Sequence, residues 1–424
     1  MPSYTPPTTT TTTTTTTKPD LQTLISTSLP FLHNDLPSIH PSLPSLISTL
    51  ISSGAADCWH KHSTFFSHLL SVHRILSLWS SSSSSSPLPL AGLFHSAYSN
   101  SYVNLAIFPP TSSSRATLTS LLTPSVERLV HLFCVIPRHL LIHDLLLSHF
   151  PSDDDLRHHL LLSLDPSQLS WRLKIQSFLP SQGLTLKHIR TGEDVHLSRR
   201  VIAAFLLMTM ADFSDQLFSF QDQLFNNDNG RLEFSGNNFT SLWPGDGKPG
   251  LWMNSISRMG ALFRLIVREE EVFIEERRRA GGVEVDKERD EDLELVIPPV
   301  FESCTEVLGT EEQKEGRELY WEAVCSGSGG EKEEKLLKKS CEKNPFVGEP
   351  HIVLGQVCLG LGKYEEAEKE VEKGLRLVLE WGSSWDKRIG WEGWVAWGRV
   401  LLMKAKEKDW PNTSWGILNL GLVR

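Results

Sequence analysis

The stretch SRRVIAAFLLMTMADFSDQLFSFQDQLF, residues 198–225, constrains the fold more than any other part of the chain. Ser198 is suited to cap a helix, and the apolar residues behind it recur at helical spacing. At 100° per residue, Ile202, Phe205, Leu206, Phe213, Leu217, Phe220 and Leu224 share one face. Asp212 and Gln216, one turn apart, fall at the edge of that face. The stretch reads as one long amphipathic helix, and its neighbours have to supply the surface that covers it.

Those neighbours are helical as well. LQTLISTSLPFL, FFSHLLSVHRILSLW, SVERLVHLFCVI and MNSISRMGALFRLIV carry the same periodicity. Nothing alternates with period two for long, so the chain reads as all-α. The serine run 80–86, followed by PLPL, marks a flexible loop between helices. Asn229-Gly230 fits a tight turn needing positive φ, and LWPGDGKPGLW is a Pro/Gly loop. Residues 1–20, a Pro/Thr tail, cannot bury enough apolar surface to offset their ordering entropy.

A chain of 424 residues is too long for one ordinary domain. Residues 21–266 form the first helical unit. Residues 267–300 are charge-dense and contain Gly281-Gly282, with twelve Asp/Glu against six Lys/Arg in 267–294; they read as a solvated helix end and charged linker. Residues 301–424 change character. In HIVLGQVCLGLGKYEEAEKEVEKGL, Leu354, Gly355, Gly362, Tyr364, Ala367 and Gly374 sit where a 34-residue helix-hairpin repeat wants small or apolar residues. Trp321 lies one period before Gly355, and WVAWGRVL repeats the pattern further on. The expectation is a short tetratricopeptide-like array that takes a protein partner. The tryptophans of 381–415 are expected to pack rather than to form a binding surface.

A net charge of -10 argues against nucleic acid or an anionic membrane as partner. The six cysteines form no CxxC pair, which points to reduced thiols. The N-terminus lacks a secretory pattern and no run approaches a membrane span, so cytosol or nucleus is expected.

Chemistry concentrates in the histidines. His60, His62 and His68 lie at the start of one helix, and His95 closes the next apolar run. Two imidazoles on adjacent antiparallel helices can meet at one divalent transition ion, Zn, Fe or Ni. The bland reading is composition, since fifteen of the sixteen histidines fall between His33 and His196. GDGKPG lacks the frame of a phosphate loop, NNDNGRLEFSG lacks the ligands of an EF-hand, and no GxSxG elbow is present.

HKHSTFFSHLLSVHRIL, AGLFHSAY, RATLTSLLTPSVERLVHLF and the stretches 190–225 and 242–263 resemble a plant family of unknown function, over about residues 44–266. That family is similar in turn to the HD-domain superfamily of helical metal proteins. The resemblance implies an HD-like bundle whose ligands are a helical histidine (His68), the histidine of a His-Asp doublet (His95) and a distal aspartate (Asp212). The doublet's aspartate is Ser96 here, which removes the charge that bridges two metals in phosphoryl chemistry. His62 is the residue placed to fill the gap. Three functions follow: an interaction or small-molecule-sensing protein with a degenerate metal site, a metal-dependent phosphohydrolase or oxygenase, or a structural helical scaffold. No catalytic residue is assigned.

Overall fold

The computed structural model describes residues 19–413 except 61–62, 81–85, 102–105, 166, 217, 219–221, 223–246, 283, 304–306 and 328–329. His62, most of the serine run, the Asn229-Gly230 turn and the Pro/Gly loop up to residue 246 lie outside the described residues. So do Leu217, Phe220 and Leu224 of the predicted apolar face.

The chain is mostly helical. Helices α1 (Leu21–Leu32), α2 (Leu36–Ile39) and α3 (Leu43–Ser52) lead into α4 (Phe65–Trp79) and the short α5 (Leu88–Leu93). Next come α6 (Ser112–Leu121), α7 (Pro124–Val135), a π-helical turn at Leu140–Leu146, α8 (Asp153–Leu162) and α9 (Ser170–Phe178). Two small antiparallel hairpins interrupt the helices. One pairs Trp59–His60 with Ser63–Thr64, the other Leu184–Lys187 with Asp194–Leu197. Among the described residues no single helix is long and apolar enough to cross a membrane.

Local chemistry sets the helix starts. The Asp20 carboxylate accepts from the Thr23 amide at 2.7 Å, so the N-terminal tail is already ordered at its last residue. Thr64 accepts from the Ser67 amide at 3.1 Å and opens α4. Thr123 does the same for α7, with Pro124 pre-set in the first turn. Ser198 accepts from the Val201 amide at 3.2 Å, as a capping serine should, and opens α10 (Arg199–Gln216).

Helix α10 is the centre of the molecule. Every residue from Arg199 to Asp215 is buried, so the helix has no solvent face, although an amphipathic one was expected. The difference arises because α4 packs on one side and α11 (Trp252–Arg279) on another. A helix enclosed on all sides is the pattern of a core element.

Helix α11 supplies the solvated helix end expected in the charge-dense segment 267–300, with Glu271, Glu275, Arg278 and Arg279 exposed, and corrects the reading of its inner part. It runs without a break through residue 267 to Arg279 and buries Val267, Glu269 and Glu270. Glu269 is 0% exposed and meets Arg172 at 2.7 Å; Glu270 is 2% exposed and takes two hydrogen bonds from Arg289, at 2.7 and 2.9 Å. Asp290 pairs with Arg128 at 2.6 Å and accepts from Ser198 at 2.6 Å. Glu269, Glu270, Arg289 and Asp290 of this segment are therefore buried in paired form. Sequence composition cannot distinguish paired charges from solvated ones.

The rest of the chain is α12 (Pro299–Ser303) and a series of helical hairpins. These are α13 (Thr310–Ser326) with α14 (Glu331–Lys343), then α15 (Glu349–Gly360) with α16 (Tyr364–Trp381), then α17 (Trp391–Glu407). Small residues bring α15 and α16 together as the spacing predicts. A Cβ on Gly355 would collide with Val371, and one on Gly374 would stand 2.6 Å from the Gly348 carbonyl oxygen. The hairpins share a core with the first unit. Trp381 meets Trp79, Trp252 and Phe301 at ring distances of 5.9, 5.3 and 5.7 Å. Trp385, Trp391 and Trp394 are buried too, so much of the tryptophan-rich segment packs as expected, in part against the first unit.

Candidate metal centre

Helix α4 is amphipathic, and His68 lies on its buried side with Leu69, Val72, Ile75 and Leu76. His95 is not on a helix: it stands in the turn that follows α5. Gly92 helps bring the two together: a Cβ there would press on the Leu76 and Val72 side chains of α4, so glycine lets α5 lie close to it. The Gly92 carbonyl then accepts from Nδ1 of His95 at 2.8 Å, which turns Nε2 of that ring inward. Asp212 comes from the last turn of α10, with Asp215 and Gln216 beside it.

Three ligand atoms converge. Nε2 of His68 lies 3.3 Å from Nε2 of His95 and 3.2 Å from Oδ1 of Asp212, and the third side of the triangle is 3.8 Å. A point equidistant from these three atoms is about 2.0 Å from each, within the range of Zn–N and Zn–O bonds. His68, His95 and Asp212 are 2%, 2% and 5% exposed. Among the described residues they form a group able to hold one ion.

Both imidazoles are anchored from behind. Nδ1 of His68 meets Oδ2 of Asp215 at 2.7 Å, the carboxylate–histidine arrangement that orients metal ligands. His95 uses its backbone partner, Gly92, in the same way. Gln216 donates to Asp212 and stands 3.1 Å from Nε2 of His68. The wholly buried Arg138 reaches the other oxygen of Asp212 at 3.5 Å, and its guanidinium lies 4.0 Å from the Phe133 ring centre.

The electrostatics separate the two histidines. Burial opposes charge on His68, but its hydrogen bonds to Asp212 and Asp215 outweigh that and raise it to about 9. Burial dominates at His95 and lowers it to about 4. Burial also works against ionised Asp212, yet His95, His68 and Arg138 together hold it well below the usual carboxylate range. The pocket is built for a carboxylate facing positive charge.

Of the four residues expected at the site, His68, His95 and Asp212 meet, and His62 lies outside the described residues. His60 is the further imidazole that is described, with its ring centre 5.0 Å from that of His68. Ser96 is buried, and its hydroxyl accepts from the Asn100 amide at 2.7 Å. Sequence reasoning missed Asp215 and Arg138. The D-x-x-D spacing of Asp212 and Asp215 places both on one side of a helix and was a usable signal; Arg138 offered none.

No curated protein and no solved structure matches the chain. A family model does match, over a shorter span than the resemblance covered, and that span includes His68 and His95 but ends before Asp212. Residues 49–138 match the model of DUF6817, a domain of unknown function.

Proposed function

We propose that this chain binds one divalent transition ion, Zn, Fe or Ni, through His68, His95 and Asp212. We read it as an interaction or small-molecule-sensing protein rather than a two-metal phosphohydrolase. One observation carries the metal reading. The Nε2 atoms of His68 and His95 face each other at 3.3 Å while both Nδ1 atoms are committed to acceptors behind them. Two imidazole nitrogens and a carboxylate oxygen that converge in this way can share one cation between them. The triangle has the size that suits a metal ion.

Ser96 supports the single-ion reading. Its hydroxyl is occupied by Asn100, and it supplies no charge to hold a second ion. The helical hairpins of 310–407 support a protein partner, in the manner of tetratricopeptide-like arrays, with cytosol or nucleus as the compartment.

A second reading has its own observation. His68 touches two carboxylates, so a proton on His68 supplies the cation and the cluster is then a structural ion pair. Elemental analysis of the purified full chain, wild type beside His95→Ala, separates the two. About one equivalent of metal in the wild type and none in the variant is the expected result. Equal content in both, or no metal in either, would sink the metal reading.

A further inference from the structure

Helix α10 ends at Gln216, and its last turn carries Asp212, Asp215 and Gln216. The carbonyls of such a turn have no partner within the helix. Here one partner comes from far along the chain. The Ser214 carbonyl accepts from the Ser383 hydroxyl at 2.8 Å and from Nζ of Lys387 at 2.5 Å. Lys387 also donates to Ser383 at 2.8 Å, and its charge acts on Asp215. A lysine at this end of a helix is favoured by the helix dipole.

The same segment grips the helix that carries His68. Arg74 of α4 donates through Nε to the Gly382 carbonyl at 2.9 Å and pairs with Glu392 at 2.5 Å. Trp79 donates to the Glu380 carbonyl at 3.1 Å. Gly382 has φ +65° and lies so close to α4 that a Cβ would stand 3.3 Å from the Ile75 Cα, so glycine is favoured there for two reasons.

We propose that segment 380–392 is a positioning device for the metal centre, with Ser383 and Lys387 as positioning residues. It clamps α4 and α10 together and thereby sets the distance between Nε2 of His68 and Oδ1 of Asp212. The proposal rests on the metal reading above and adds the segment that joins the C-terminal hairpins to the parts that hold the site in shape. Ligand placement has to be right to about 0.2 Å for a metal site, so a clamp on both helices bears directly on affinity.

The test uses the full chain and Zn²⁺ in competition with a chromophoric chelator, with Co²⁺ absorption as a spectroscopic signature. Wild type binds one equivalent and His95→Ala none. Lys387→Met still binds one equivalent, about 10-fold more weakly, with a shifted Co²⁺ band. Lys387→Arg restores affinity and spectrum, which a purely structural loss would not predict. Should Lys387→Met fail to fold, Ser383→Ala carries the test, with affinity lowered about 3-fold. Wild-type affinity and an unchanged Co²⁺ band in the folded variant would overturn the clamp and leave the metal centre standing. A wild type that binds no Zn²⁺ would remove both.

Discussion

His68 and His95 present Nε2 to Nε2 across 3.3 Å, and each ring is held from behind through Nδ1. Neither anchor is redundant. The Asp215 carboxylate orients one ring and the Gly92 carbonyl the other, so the pair is fixed before any ion arrives. Preorganisation of this kind is what distinguishes a ligand pair from two histidines that happen to be close.

Removing the anchor should weaken the site without abolishing it. Asp215→Ala leaves all three ligand atoms in place but frees the His68 ring. Zn²⁺ affinity is expected to fall about 10- to 100-fold, measured by chelator competition. Unchanged affinity would mean that Asp215 does not orient His68.

Ser96 should be silent. Its hydroxyl accepts from Asn100 and is not one of the three converging ligand atoms. Ser96→Ala is expected to retain the metal content of the wild type, read by elemental analysis. A loss of metal would show that Ser96 takes part in the site.

Burial lowers the His73 imidazole to about 3, helped by the charges of His40 and Arg74. Its folded value lies below the ordinary 6.5, so the unfolded chain binds the extra proton. The stability it contributes is complete above about pH 6.5 and is lost as pH falls towards 3, at up to ~1.4 kcal/mol per pH unit. His73→Leu should flatten this acid limb in urea denaturation at pH 7 and pH 4.5. Parallel curves for the two proteins would refute it.

Helices α15 and α16 should not tolerate a methyl at their crossing. In Gly374→Ala the new Cβ meets the Gly348 oxygen at 2.6 Å and the Ile352 amide nitrogen at 2.9 Å, both backbone atoms that cannot swing away. A loss of about 1–3 kcal/mol is expected in chemical denaturation. Gly360→Ala, which meets nothing within 4 Å, serves as the control.

Truncation after residue 300 should fail to give a well-folded protein. It strips Phe301 and Trp381 from Trp79 and Trp252 and leaves those indoles uncovered. The expected outcome is aggregation or loss of a cooperative thermal transition. A soluble fragment that melts cooperatively would show that the first unit has a self-sufficient core.

Much of the local structure was legible. Helical periodicity in FFSHLLSVHRILSLW predicts the buried side of α4 that carries His68, and Ser198 caps α10 as its position implies. The His68–His95 pairing was visible because one helix, one loop and the start of another fit between them. Asp212 followed from the resemblance. The charge-dense segment misled because composition records how many charges there are and not whom they meet. Glu269 and Glu270 look solvated until Arg172 and Arg289 are placed beside them.

By itself, the sequence determined where the main helices run, the Ser198 cap and the buried side of α4. Each of these depends on interactions within a few residues, where periodicity and side-chain chemistry act directly. Only the tertiary structure decided that His68, His95 and Asp212 form one triangle, that Asp215 stands behind it, and that segment 380–392 holds the two helices in place. His68 and Asp215 are 147 positions apart, and Ser214 and Lys387 are 173. Contacts at such separations follow from how whole helices pack, which here includes the close approach of α5 to α4 at Gly92 and a tryptophan core drawn from both halves of the chain.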